Sequence, residues 1–187
     1  REPSDYGVSL TPAASGIPEF TPSPVFTPDG RSMAVLSTRQ GHPSIVELYD
    51  LASGRRRRLV ADAFTRVENI PLGNFTNLAR ALAVSPDGTR LAFGAQKNHR
   101  HTLYVYDLRS DKLRRLELPG FQQVQQPAFS PDGRSVAFSG MKDSMTDIHV
   151  VDLETGGVTA VTSDPQDDQS PHFSPDGASI VYSSEVQ

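Results

Sequence analysis

Three acids crowd one short stretch of the chain: Asp164, Asp167 and Asp168 in "SDPQDDQS". Carboxylates this close together on a loop offer the hard oxygen ligands that calcium takes, yet calcium requires about six or more of them. The spacing completes no calcium-binding loop, so an acidic loop without metal is the plainer reading, and no cofactor is expected. His99 and His101 in "KNHRHT" could hold a metal from one face of a strand, but no third ligand accompanies them. Asp29, Asp87, Asp132 and Asp176 suggest a ring of carboxylates until their neighbours are read. Each is third in Thr-Pro-Asp-Gly or Ser-Pro-Asp-Gly, where turn chemistry accounts for it. The sequence contains no Gly-x-Ser-x-Gly elbow, His-Glu-x-x-His, phosphate loop or dinucleotide fingerprint, so the chain is read as not itself an enzyme.

The elements that carry those turns are one unit repeated: "FTPDGRSMAVLS" from Phe26, "VSPDGTRLAFGA" from Val84, "FSPDGRSVAFSG" from Phe129 and "FSPDGASIVYSS" from Phe173. Pro28, Pro86, Pro131 and Pro175 lie 58, 45 and 44 residues apart, a period typical of repeat architectures. Proline sets the backbone for a type I turn, aspartate suits the next position, and glycine takes the left-handed conformation that closes the hairpin. A short apolar run follows each corner, then "SIVELYD", "LYVYDL" or "DIHVVDL", then a second turn and a final strand. Four antiparallel strands per period of about 44 residues is the size of a β-propeller blade. No long stretch has the 3.6-residue period of an amphipathic helix, and a β-sandwich would not explain equally spaced identical turns. Arg55 to Arg58 fall on the outermost strand, where charge protects an exposed edge.

The stretch "TDIHVVDLETGGVTAVTSDPQDDQSPHFSPDGASIVYSS" resembles the WD-repeat-like propeller repeat of TolB, the tricorn protease and prolyl-oligopeptidase-type peptidases. The resemblance extends from Ser23 to Ser184. True WD repeats are a poor match, because the chain has no tryptophan. The expected fold is an all-β propeller array of four-stranded antiparallel blades, three complete and one partial, as a segment of a larger propeller or completed by another chain. Residues 23–60, 79–118 and 119–162 form blades one to three, and 163–187 part of a fourth. Residues 1–22 are an extended Pro-rich segment or a pair of closing strands. Residues 61–78 are an insertion loop that is either functional or a cap on a blade edge; its Asn74-Phe75-Thr76 is a glycosylation sequon.

In propellers of the resembling kind the first strand of each unit lines the channel. Arg80, Gln125, Gln126, Asp168, Gln169 and His172 precede the corners and are therefore expected to face it. They are polar where a purely structural strand would be apolar, and they mix donors and acceptors suited to a peptide. A net charge of −4 argues against general affinity for nucleic acid. No apolar run reaches the length of a membrane helix, so membrane insertion is not expected. The absence of cysteine leaves the compartment open. The resemblance implies a periplasmic or cell-envelope location and a non-catalytic scaffold for a protein or peptide partner. Its alternative implication is the substrate-gating propeller of a prolyl-oligopeptidase-like peptidase whose hydrolase domain this chain lacks. Apolar faces at the ends of an open stack imply association with further blades or a second copy.

Overall fold

A computed structural model describes residues 24–39, 42–59, 82–97 and 100–185. Among these there is no helix. Fourteen strands form three four-stranded antiparallel sheets and one two-stranded sheet, each ordered as in the sequence. The first sheet holds β1 (Val25–Phe26), β2 (Ser32–Arg39), β3 (His42–Asp50) and β4 (Arg56–Arg58). The second holds β5 (Leu82–Val84), β6 (Arg90–Lys97), β7 (Arg100–Asp107) and β8 (Lys112–Leu116). The third holds β9 (Gln123–Phe129), β10 (Ser135–Lys142), β11 (Met145–Asp152) and β12 (Val158–Ala160). The partial fourth blade is β13 (Asp168–Phe173) with β14 (Ile180–Ser184).

The corners explain why one tetrapeptide recurs. At the third, Ser130 Oγ donates to Asp132 Oδ1 (2.6 Å), the Ser135 N–H donates to Ser130 Oγ (2.9 Å), and the Arg134 N–H donates to Asp132 Oδ1 (2.9 Å). Equivalent contacts fasten Thr27 to Asp29, Ser85 to Asp87 and Ser174 to Asp176. The corners also interlock. A Cβ placed at Gly88 would lie 3.4 Å from Pro28 Cδ, one at Gly133 3.9 Å from Pro86 Cδ, and one at Gly177 3.5 Å from Pro131 Cδ. Each glycine, already at φ near +70°, thus abuts the preceding blade's proline. The second aspartate marker is a turn staple too. Asp50, Asp107 and Asp152 each accept a backbone N–H and a hydroxyl from the residue three positions on.

Alternation along the strands builds two separate cores. Leu91, Phe93, Ala95, Tyr104 and Tyr106 of blade two pack on Ala34 and Val46 of blade one. The intervening Ala92, Leu103 and Val105 pack on Val124, Val136, Phe138 and Val151 of blade three. One sheet therefore buries both faces, as stacked blades require. Each fully buried Leu or Phe contributes about 1.5–3 kcal/mol. The first strands of successive blades meet, β1 with β5, β5 with β9 and β9 with β13, whereas β4, β8 and β12 form the outer edges. The stack consequently closes toward its first strands.

Arginines on the outer edge do more than repel neighbouring edges. Arg57 of β4 donates to Asp111 Oδ1 (2.7 Å) and to the Leu108 carbonyl (3.2 Å) in the next blade's turn. Arg114 of β8 donates to the Leu153 carbonyl in the corresponding turn of blade three. Asp111 stands at φ 55° where Gly54 and Gly156 serve the other blades, and it also accepts the Tyr106 hydroxyl (2.8 Å). Burial first, then that carboxylate, pushes the Tyr106 phenol up to about 12.

Candidate functional site

The antiparallel order gives the stack two dissimilar ends. The Pro-Asp-Gly corners and the β3–β4, β7–β8 and β11–β12 turns occupy one. The β10–β11 hairpin and the connections β8–β9 and β12–β13 occupy the other. Toward that second end the inner strands are irregular. Gln126, before Pro127 on β9, has φ 51°, and Ser170, before Pro171 on β13, has φ 57°. The ladder shifts register at both places. Left-handed backbone at such residues costs about 1 kcal/mol or more and persists only where surrounding contacts impose it.

Those contacts are polar and cross between blades. Gln126 Oε1 accepts the Ser139 hydroxyl (2.8 Å) and the Ser170 N–H (2.8 Å), while Ser139 Oγ also accepts the Ser170 N–H (3.2 Å). Asp167 Oδ1 accepts the Thr146 N–H at 2.9 Å, tying the β12–β13 connection to β11. Beside this network lies a cavity of about 200 Å³ lined by Gln123, Gln125, Ser139, Met141, Thr146, Asp167 and Gln169. It is a seam between the third and fourth blades. Gln125 Nε2 donates to Gln123 Oε1 (3.1 Å), so the two amides on β9 are held side by side.

Gln125 and Gln169, expected to face the channel, come together in the wall of this cavity between two blades. Gln126 and Asp168, also expected to face the channel, are both buried. Gln126 is only 5% exposed, because the bulge turns its amide into the seam, and Asp168 is 0% exposed where β13 packs on β9, β10 and β11. His172 is exposed on β13 opposite Val181, outside the cavity lining. Arg80 lies outside the described residues, as do 61–78, 1–22 and His99. Of the three crowded acids, Asp164 caps its own turn by accepting the Gln166 N–H (3.1 Å), Asp167 lines the cavity and Asp168 is buried. They do not converge, and among the described residues no cluster of three His, Cys, Asp or Glu side chains is placed to hold a metal. Burial lowers the affinity of His101 for a proton.

Sequence reasoning missed Gln123, Ser139, Met141 and Thr146. Ser139 carried a signal: it is a hydroxyl inside the otherwise apolar run "SVAFSG", and a buried hydroxyl implies a partner.

A family model described as the TolB beta propeller domain matches residues 83–187, more than half of the chain. The chain belongs to this TolB propeller family. No curated protein matches the sequence. Among solved structures, TolB from Acinetobacter baumannii is similar at 24% identity and TM-score 0.68, over 88% of this chain and 37% of that one. A putative TolB from Agrobacterium tumefaciens is similar at 20% identity and TM-score 0.60, over 90% and 71%. Prolyl endopeptidases solved for the role of inter-domain dynamics in catalysis and specificity give 18% identity and TM-score 0.57, over 89% and 26%. At these identities the likeness carries the fold. This TolB-type chain spans little more than a third of the Acinetobacter protein.

Proposed function

We propose that this TolB-type propeller is a non-catalytic binding module that takes a segment of a protein or peptide into the seam between its third and fourth blades. The observation that carries the reading is the polar cavity there, walled by three glutamine amides, two hydroxyls and one carboxylate. Amides and hydroxyls both donate and accept, which matches the alternating groups of an extended peptide backbone. Ser139, the one serine of the lining, has its hydroxyl committed to the Gln126 amide, and no histidine lines the cavity to activate it. That favours binding over nucleophilic chemistry. A cell-envelope location rests on the resemblance to TolB alone. The likeness to prolyl endopeptidases favours a second reading, in which the same propeller gates substrate for a hydrolase domain.

Panning a random linear peptide library on the immobilised chain tests the proposal. Peptides should be enriched whose affinity falls at least about tenfold in the double variant Gln125→Ala, Gln169→Ala, as loss of two good hydrogen bonds requires. An enriched set that binds this variant as well as wild type would contradict it.

A further inference from the structure

We infer that the cavity between blades three and four is a receptor for a single guanidinium side chain, an arginine presented by the partner. This rests on the binding-module reading and specifies the chemistry of its central contact. The lining carries one ionisable group, Asp167, and neither lysine, arginine nor histidine. Anionic ligands therefore meet a carboxylate and nothing to neutralise them. One oxygen of Asp167 is held by the Thr146 N–H, which fixes the side chain, and the other accepts no hydrogen bond from the described residues. No cation among the described residues pairs with it.

The neighbouring residue is on the other side of the strand: Asp167 and Gln169 line the cavity, and Asp168 between them does not. Asp168 is fully buried, and neither of its carboxylate oxygens has a hydrogen-bond partner among the described residues. A buried carboxyl without hydrogen bonds is costly, and most such groups in folded proteins are satisfied. The Asp168 carboxyl is nonetheless separate from the cavity, and the claim on a cation belongs to Asp167, which no described cation pairs. A ligand bringing positive charge into the cavity would give Asp167 that counterpart.

Size and shape narrow the cation. At about 200 Å³ the space is smaller than the roughly 300–1,000 Å³ typical of small-molecule pockets, which suits one side chain rather than a whole ligand. A guanidinium presents five N–H donors in a plane, and the wall offers the free Asp167 oxygen together with amide carbonyls and hydroxyl oxygens to accept them. Met141 adds a polarisable apolar wall for the methylene stem. An ammonium has only three donors and holds its water more strongly, so arginine fits better than lysine.

The test titrates N-acetyl-arginine amide into the isotope-labelled chain, with N-acetyl-citrulline amide as the neutral isostere, and follows backbone amide signals. The arginine compound should shift Thr146 and Gln169 saturably, and the citrulline compound should bind at least about tenfold more weakly. Asp167→Asn should lose a similar factor while keeping its fold, because the asparagine carbonyl still accepts from Thr146. Equal response to the two compounds, or undiminished binding by Asp167→Asn, would overturn the inference. The citrulline comparison decides the matter on wild type should the variant misfold. Library peptides that depend on Gln125 and Gln169 yet contain no arginine would overturn this inference alone. Failure to enrich any such peptide strikes at the binding-module reading instead.

Discussion

At the scale of single residues, the corner aspartates are held ionised by the turn they close. The Ser85 hydroxyl first, then Thr89 and nearby Arg90, against some opposing desolvation, hold the Asp87 carboxyl at about 2, well below its ordinary 3.8. Asp29, Asp132 and Asp176 are lowered in the same direction by their own corner hydroxyls. His149, stacked on Phe138 with ring centroids 5.6 Å apart, is also lowered from 6.5, chiefly by burial. Groups whose folded pKa is depressed stabilise fully above their unfolded pKa and lose that contribution as pH falls. Acid denaturation should therefore proceed in two stages, a first loss below pH 6.5 that His149→Phe reduces, His101 supplying the remainder, and a second below pH 3.8 that Asp87→Asn reduces. Urea melts between pH 8 and pH 2.5 measure both; a single stage unaffected by His149→Phe would refute the first. Gly94 is a packing residue: a Cβ there would lie 2.0 Å from the Val124 carbonyl oxygen of the next blade. Gly94→Ala must push backbone apart and should destabilise by about 1–3 kcal/mol in thermal unfolding.

At the scale of elements, blades are joined by a repeating arginine. Arg57 and Arg114 occupy equivalent places on β4 and β8, and each reaches the leucine carbonyl after the next blade's turn aspartate. Blade three has Thr159 at that place. The Arg57–Asp111 pair is about half exposed on both sides, so a double-mutant cycle should give a coupling of only about 0.2–1 kcal/mol. Asp111 at φ 55° carries backbone strain that glycine would not. Asp111→Ala should therefore be less stable than Asp111→Gly by about 1 kcal/mol, and equal stabilities would remove the strain argument. The fold was legible because turn residues and strand alternation repeat with fixed spacing. Cross-blade partners were not. The arginine run read as a charged edge, since nothing local announces that Arg57 ends on Leu108 of another sheet. Likewise the cavity that Gln125 and Gln169 line was not legible, because it depends on the next blade and on a bulge at Gln126–Pro127 that breaks the two-residue period.

At the scale of the molecule, the two ends of the stack differ from its middle. Val181 and Tyr182 of β14 are 64% and 42% exposed and Phe26 of β1 is 56% exposed, whereas blade two exposes no large apolar side chain among its described residues. Exposed apolar sheet faces drive association, so light scattering coupled to size exclusion should show concentration-dependent self-association. Val181→Ser with Tyr182→Ser should reduce it, and an unchanged profile would place the contact elsewhere. Under the proposed function a partner segment enters at the loop end of the seam between blades three and four, the end opposite the repeated corners. Hydrogen exchange of the chain with and without a library-selected peptide tests this most directly. New protection is expected in residues 123–125, 139–146 and 167–169, lost with Gln125→Ala, Gln169→Ala. Protection confined to the corner residues 85–89 and 130–134 would contradict it.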